Sequence, residues 1–450
     1  MKIGIIGLGY VGLPLAILCA EKKYEVIGYD IKTEVVDLTN KRVSHINDKA
    51  IQNSLKELNG DLTATTDPEE LKNCEIFIIC VPTPVDKNKE PDLKPLEISS
   101  KTISKYLKKG DLVIVESTVF PGTCEEIVVP ILEESGLQLG VNLFLAHCPE
   151  RVNPGDIFWE TKNIPRVVGA LSKIGVDKAA KFYQSVLGGE ICDVKDIKQK
   201  LRPKIIVEDK SYKINTIPLG TITKMNSIRD AEAVKAMENT VRDVNIAFVN
   251  ELAKISEVLN LDVIDIIDGM TTKPFGKGPF YPGIGVGGHC IAVDPEWLKA
   301  ASIKAGFFPK IIQHSRDTNN SMPNHTIRLL EKLVNLRENK VAVLGVTYKG
   351  NIDDPRESPF YDIKKILLQK KVDFSVFDPW YRKENTVDSI DKALDEAKIV
   401  LLVTNHDLFK EKITVEFLKA KEIKIVIDGR NCLNKEEIIK QGIVYKGIGR

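Results

Sequence analysis

Apolar residues along the chain follow two spacings, and the order in which these alternate defines an architecture. Strands are expected at 2–6, 24–30, 74–81 and 111–116, the last two as continuous apolar runs, with a shorter one at 144–147, and stretches of helical spacing separate them. Runs that are apolar at every position belong to strands covered on both faces, as in a parallel sheet. The same order returns at 340–344, 372–377, 398–403 and 424–427. The two ends share an order of elements, not a repeated sequence.

Between them Ala233, Met237, Val241, Val244, Phe248, Leu252 and Ile255 recur at three- and four-residue intervals. This predicts one helix from Asp230 to about Leu259, with another over 262–269. A helix of about thirty residues spans roughly 45 Å. That length suits a helix that joins two domains and also forms a dimer interface. The Lys- and Ile-rich stretch 195–223 reads as a surface hairpin, with strand-like runs at 204–207 and 212–217, and carries no assigned chemistry. The fold class expected is α/β, with two Rossmann-like doubly wound parallel-sheet domains joined by a long central helix. The boundaries are 1–224 for an N-terminal unit, 225–322 for a central helical unit and 323–450 for a C-terminal unit.

Composition narrows the function. A length of 450 residues agrees with two or three domains at about 150 residues each. With 43% hydrophobic and 28% charged residues there is ample material for packed cores, as in an ordinary globular protein. A net charge of +1 gives no field that favours nucleic acid or an acidic membrane, so an anionic ligand must be held by local groups. The eight cysteines form no C-x-x-C pair and no histidine cluster accompanies them, which argues against a metal site and a disulfide framework and for a reducing cytoplasm. The uncharged run 3–20 opens a secretory or membrane reading, but its glycines and Pro14 suit strand–turn–helix better. No other stretch is long and apolar enough to span a membrane.

The same glycines carry the first chemistry. Gly7, Gly9 and Gly12, with Tyr10 and Val11 between them, form G-x-G-x-x-G directly after a strand. Gly7 permits the turn, Gly9 admits a pyrophosphate and Gly12 lets helix and strand pack closely. Asp30 ends the next strand where a ribose-binding acid lies, and an acid there repels a 2′-phosphate, so NAD is favoured over NADP. Thr83 and Thr118 follow later strands, at the sheet edge where open α/β proteins hold ligands, although capping hydroxyls are an equal reading.

The glycine-rich run 283–288 leads into His289 and Cys290, with Asp294 four residues on. If Cys290 opens a helix, Asp294 shares its face, and a thiolate at a helix N-terminus is an activated nucleophile. A buried structural cysteine is the other reading.

Here the sequence resembles the UDP-glucose/GDP-mannose dehydrogenase family of nucleotide-sugar 6-dehydrogenases. The likeness runs over essentially the whole chain, through 7–12, 117–123, 148–155, 233–240, 287–295 and the segments 348–350 and 354–358. It implies oxidation of a sugar alcohol to an acid with two NAD. In that scheme Cys290 adds to the intermediate aldehyde, giving a thiohemiacetal and then a thioester that water cleaves. The resemblance places Lys235 and Asn239, one helical turn apart, beside the reacting oxygen, Asp294 and Thr118 beside water, and Glu150 in an acid–base role. Read alone, Glu150 is equally a salt-bridge partner of Arg151, and Lys235 a solvated lysine. The resemblance further puts Arg356 near NAD, and Glu150, Arg151, Lys235, Asn239, Lys273, Phe280, Tyr281, Gly283, Gly287, Lys349 and Arg430 near the UDP-sugar. Lys349, in the turn after the first C-terminal strand, can pair a pyrophosphate.

Segments 118–123, 148–155 and 271–276 look more like the N-acetylhexosamine branch, so UDP-N-acetyl-D-mannosamine is the expected substrate, with UDP-N-acetylglucosamine or UDP-glucose as alternatives. The expected assembly is a homodimer through the central helix, or a higher oligomer. A two-electron hydroxy-acid dehydrogenase leaves the second nucleotide-like unit without a purpose. A non-catalytic NAD-binding scaffold would require a broken catalytic set.

Overall fold

The computed structural model describes residues 1–85, 91–152, 159–200, 206–208, 211–213, 220–272, 279–288 and 290–450, with 198–200, 206–208 and 211–213 described by backbone alone. The chain divides into two compact units, Met1–Glu238 and Asn239–Arg450. The division falls inside the helix Ile228–Leu259.

In the first unit β1 (Lys2–Ile6), β2 (Glu25–Tyr29), β3 (Leu62–Thr65), β4 (Ile76–Ile79), β5 (Leu112–Val115), β6 (Phe144–His147), β7 (Arg166–Ala170) and β8 (Ile191–Asp193) share one sheet. Next come a separate antiparallel pair, β9 (Ile206–Glu208) and β10 (Ser211–Lys213), and then β11 (Ile222–Lys224), which returns to the sheet. The order is β3-β2-β1-β4-β5-β6-β7-β11-β8. Pairing is parallel throughout except between β6 and β7. The central strands β4, β5 and β6 are buried at every residue, which is why their sequences are uniformly apolar. The chain moves outward from β1 to β3 and then crosses to β4, so a topological switch point lies between β1 and β4, where such sheets hold ligands.

The second unit holds β12 (Val341–Leu344), β13 (Phe374–Phe377), β14 (Ile399–Leu402), β15 (Ile425–Asp428) and β16 (Val444–Gly447), all parallel, in the order β13-β12-β14-β15-β16. The fold is therefore α/β with a Rossmann-like parallel sheet in each unit. The likeness of the two ends extends to the hydrogen bonds of one turn. Gly7 (φ +93°) ends β1 and donates its N–H to Tyr29 O at 2.8 Å, and Gly345 (φ +101°) ends β12 and donates to Phe377 O at 2.9 Å. Only glycine enters this backbone region at little cost. Asp30 then accepts from Leu8 N–H at 2.9 Å, as Asp378 accepts from Val346 N–H at 2.6 Å.

The helix over 228–259 begins two residues before the position expected from its apolar spacing. The next helix, Val263–Thr271, starts on Asp262, whose carboxylate accepts the Ile264 N–H at 2.9 Å as an N-cap. Among the described residues of the hairpin, Ile206–Glu208 pairs antiparallel with Ser211–Lys213, so Glu208 and Ser211 join the strands beyond the runs expected from sequence. No helix among the described residues is long and apolar enough to cross a membrane.

Candidate active site

In the first unit the glycine loop after β1 is shaped by contacts rather than by composition alone. A Cβ at Gly12 would lie 1.8 Å from Gly7 O, so the helix Gly12–Glu21 can start there only on glycine. A Cβ at Gly9 would meet nothing within 4 Å. Gly9 therefore borders open space at the N-terminus of that helix, where N–H groups and the helix dipole favour a phosphate. Tyr10 is exposed and Val11 half-buried beside it. Asp30 spends one oxygen on Leu8 N–H and the other on Lys32 N–H, both at 2.9 Å. It thus fixes the loop as well as ending β2. The glycine cradle and this acid fit a dinucleotide.

The strand ends beside it are stitched by hydroxyls. Thr83 Oγ1 donates to Thr118 O at 2.6 Å, and Ser117 Oγ donates to Val81 O at 2.7 Å. Thr118 itself is half-buried. Below Thr118 the buried Glu232, on the long helix, accepts N–H groups from Gly122 (2.6 Å) and Cys124 (2.8 Å). Sequence reasoning missed Glu232, which lies on the helix face opposite the apolar spacing of 233–255 and reads there as an ordinary solvated acid.

Glu150 belongs to a buried ionic cluster. One of its oxygens accepts Arg151 N–H (2.6 Å) and Val152 N–H (2.9 Å), and the other accepts Arg166 Nη2 at 2.8 Å. Arg166 also lies 3.4 Å from Glu116, whose second oxygen bonds the Tyr183 hydroxyl. The salt bridge between Glu150 and Arg151 read from sequence is not formed, because the Arg151 guanidinium pairs with Glu238 and with Pro165 O. Burial, only partly offset by Arg166, raises the pKa of Glu116. Sequence reasoning missed Glu116 and Arg166, although a charge at the edge of an apolar strand was visible at both. Lys235 is buried, and Nζ makes no hydrogen bond or ion pair to a described residue.

In the second unit Asn239 Nδ2 donates to Asp294 Oδ2 at 2.6 Å, and both side chains are buried. Cys290 does not open a helix. The helix begins at Asp294, and residues 290–293 form a turn whose first carbonyl, Cys290 O, accepts Asp294 N–H at 2.8 Å. Pro295 explains the start, since proline suits the first turn of a helix, where its missing N–H has no partner to lose. All eight cysteines are described and none is in a disulfide; Cys290 and Cys432 alone are half-buried. Burial pushes the thiols of Cys19, Cys74, Cys80, Cys124, Cys148 and Cys432 up, which leaves them poor nucleophiles at neutral pH.

The glycine run before Cys290 approaches the chain itself. A Cβ at Gly287 would lie 2.6 Å from Tyr348 Cβ, and Gly288 donates its N–H to Arg356 O at 2.9 Å. Gly283 donates to Asn250 on the long helix at 2.9 Å, and Asn250 continues to Asn319 and thence to Asp243 and Arg316. Arg430 is brought beside Gly283, with Nε on Val403 O (2.8 Å) and Nη2 on Tyr348 O (3.0 Å). Lys349 is half-buried in the turn after β12. Arg356 is exposed and grips Asp354 through two N–H groups, at 2.8 and 2.6 Å. Tyr281 is exposed and donates its hydroxyl to Asp268 at 2.9 Å, while Phe280 packs on the core of this unit. Lys273, His289 and residues 153–155 lie outside the described residues.

Residues 1–187 match the NAD binding domain of the UDP-glucose/GDP-mannose dehydrogenase family, 229–321 its central domain and 342–435 its UDP binding domain. The chain belongs to the UDP-glucose/GDP-mannose dehydrogenase family. It is an NAD-dependent oxidoreductase of that family. Among curated relatives, the UDP-N-acetyl-D-mannosamine dehydrogenase of Pyrococcus horikoshii is 36% identical over 100% of this chain and 99% of its own. The UDP-N-acetyl-D-glucosamine 6-dehydrogenase of Pseudomonas aeruginosa is 36% identical over 86% of this chain and 85% of its own. The solved structure of the UDP-N-acetyl-D-mannosamine dehydrogenase from Pyrococcus horikoshii superposes with a TM-score of 0.87 at 36% identity, covering 100% of this chain and 99% of that one.

Proposed function

We propose that this chain oxidises the C6 alcohol of UDP-N-acetyl-D-mannosamine to the carboxylate, in two two-electron steps. The observation that carries the reading is end-to-end similarity to a relative named for that substrate, where the relative named for the glucosamine sugar matches 86% of the chain.

NAD, held by Gly7, Gly9, Tyr10, Val11, Gly12, Asp30, Thr83, Thr118 and Arg356, supplies the acceptor for two hydrides per sugar. Lys349, Arg430, Arg151 and Lys273 are the cations assigned to the charged nucleotide, and Phe280, Tyr281, Gly283 and Gly287 are assigned to substrate binding with them. Glu150 accepts the proton of the C6 hydroxyl. Lys235 and Asn239 stabilise negative charge on the C6 oxygen. The Cys290 thiolate then forms a bond to the aldehyde carbon, giving a thiohemiacetal that becomes a thioester once oxidised. Asp294 and Thr118 orient the water that attacks the thioester carbon, and the C–S bond breaks to return the thiolate. A thiol serves both halves because it is a strong nucleophile and a good leaving group. The hydrogen bond from Asn239 to Asp294 supports this assignment by tying two of these groups to one another.

We also propose that the active form is a homodimer, in the cytoplasm, where cysteines outside disulfides persist. Val241, Phe248 and Ile255 recur every seven residues on the long helix with exposures of 60%, 57% and 45%, an apolar stripe fit for a second copy. Turnover of a panel of UDP-sugars, followed by NADH absorbance, tests the substrate. kcat/KM for UDP-N-acetyl-D-mannosamine should exceed that for UDP-N-acetylglucosamine and UDP-glucose at least about tenfold, a difference of about 1.4 kcal/mol in transition-state binding. The reverse order would refute the choice.

A further inference from the structure

Glu150, Arg166 and Glu116 put two carboxylates against one guanidinium where water does not reach. Side-chain exposure is 0% for Arg166 and Glu116 and 9% for Glu150, so Glu150 is the member open to a reacting group. Were both carboxylates ionised, the cluster would hold a net negative charge inside the protein, which burial strongly opposes. The hydrogen bonds decide which one gives way. Glu150 accepts three N–H groups, from Arg151, Val152 and Arg166, at 2.6, 2.9 and 2.8 Å. Glu116 has the longer contact to Arg166, at 3.4 Å, and the Tyr183 hydroxyl. The carboxylate with three N–H donors is the better place for charge.

We propose that Arg166 and Glu116 are positioning residues that hold Glu150 ionised and fixed in orientation, with Glu116 carrying the proton of the cluster. Arg166 reaches both carboxylates through different nitrogens, Nη2 to Glu150 and Nη1 to Glu116, so it fixes their separation. Its guanidinium carbon also lies 5.6 Å from the centre of the Tyr183 ring, which closes the far side. The other titratable groups around Glu116 are the Tyr183 phenol and the thiols of Cys19, Cys80 and Cys148, and burial keeps all four neutral. Charge balance in this pocket therefore rests on Arg166 and the two glutamates.

The inference rests on the reading of Glu150 as the base, and the pH dependence of kcat in Glu150→Gln, Glu116→Gln and Arg166→Lys separates the two. Binding of NAD, titrated by fluorescence, serves as the check on folding. Glu116→Gln preserves shape and removes the competing acid. Glu116 is neutral in the proposed cluster, so Gln reproduces its charge state, and the acid limb of kcat should coincide with wild type with the plateau retained; loss of a charged Glu116 would instead move that limb to lower pH by about half a unit to one unit. Arg166→Lys keeps a positive charge but not the two-pronged geometry, and should lower kcat at least about tenfold while NAD binding is kept. Glu150→Gln should lower kcat about a hundredfold or more. If Glu150→Gln is impaired but the acid limb of Glu116→Gln moves to lower pH, or Arg166→Lys keeps wild-type kcat, the positioning role is wrong and the base stands. If Glu150→Gln turns over as wild type, both are wrong.

Discussion

His147 ends β6 with both ring nitrogens buried and without a hydrogen-bond partner. Burial alone pushes its pKa down to about 3. In the unfolded chain a histidine titrates near about 6.5. Below that value the unfolded state binds a proton that the folded state refuses. The stability contributed by neutral His147 is thus complete above about pH 6.5 and is lost as pH falls toward 3. At about pH 5 the loss is 1.36 kcal/mol for each of roughly 1.5 units, or about 2 kcal/mol. Glu116 acts in the opposite sense. Its raised pKa lets the folded state hold the extra proton, so its contribution is lost as pH rises. A pH scan of wild type alone mixes the two. His147→Leu isolates the first. Urea unfolding of both proteins at about pH 8 and pH 5, followed by circular dichroism, should show the variant gaining about 2 kcal/mol on wild type between the two pH values. At about pH 8 the variant should already be more stable by about 1 to 3 kcal/mol, because a buried polar ring without partners is removed. Parallel pH dependences for the two proteins would refute the reasoning.

Other consequences are open to direct measurement. Glu232→Ala leaves the N–H groups of Gly122 and Cys124 unpaired in a buried place, and should cost about 2 to 4 kcal/mol in chemical denaturation, with kcat falling as the loop bearing Thr118 loosens; unchanged stability would contradict the clamp. Phe248→Asp puts a charge into the exposed stripe, and sedimentation should show monomer where wild type is dimer; a dimeric variant would move the interface elsewhere.

The sequence made the buried strands legible and hid the edges. β4, β5, β12 and β14 are apolar at every position because both faces are covered, and that pattern needs no knowledge of neighbours. β3 and β16 alternate buried with exposed residues over four positions, too short a stretch to stand out from a loop. β8 and β11 have three residues each and exist through pairing with partners tens of residues away. The site divides the same way. Residues 7–12 announced their turn locally, whereas Glu150 and Arg166, Gly287 and Tyr348, or Asn250 and Gly283 meet only after folding. Sequence likewise gave Cys290 a helix start that the chain delays to Asp294. In the glycine run before Cys290, the crowding that requires glycine at Gly287 comes from Tyr348 and from the backbone around Glu357, contacts that no local pattern shows.

The count of NADH formed per uronate by wild type and by Cys290→Ala tests the central claim most directly. A four-electron oxidation through a Cys290 thioester predicts two NADH per uronate for wild type, and no uronate from the variant. One NADH per sugar with the aldehyde as product, or acid formed by the variant at the wild-type rate, would contradict it.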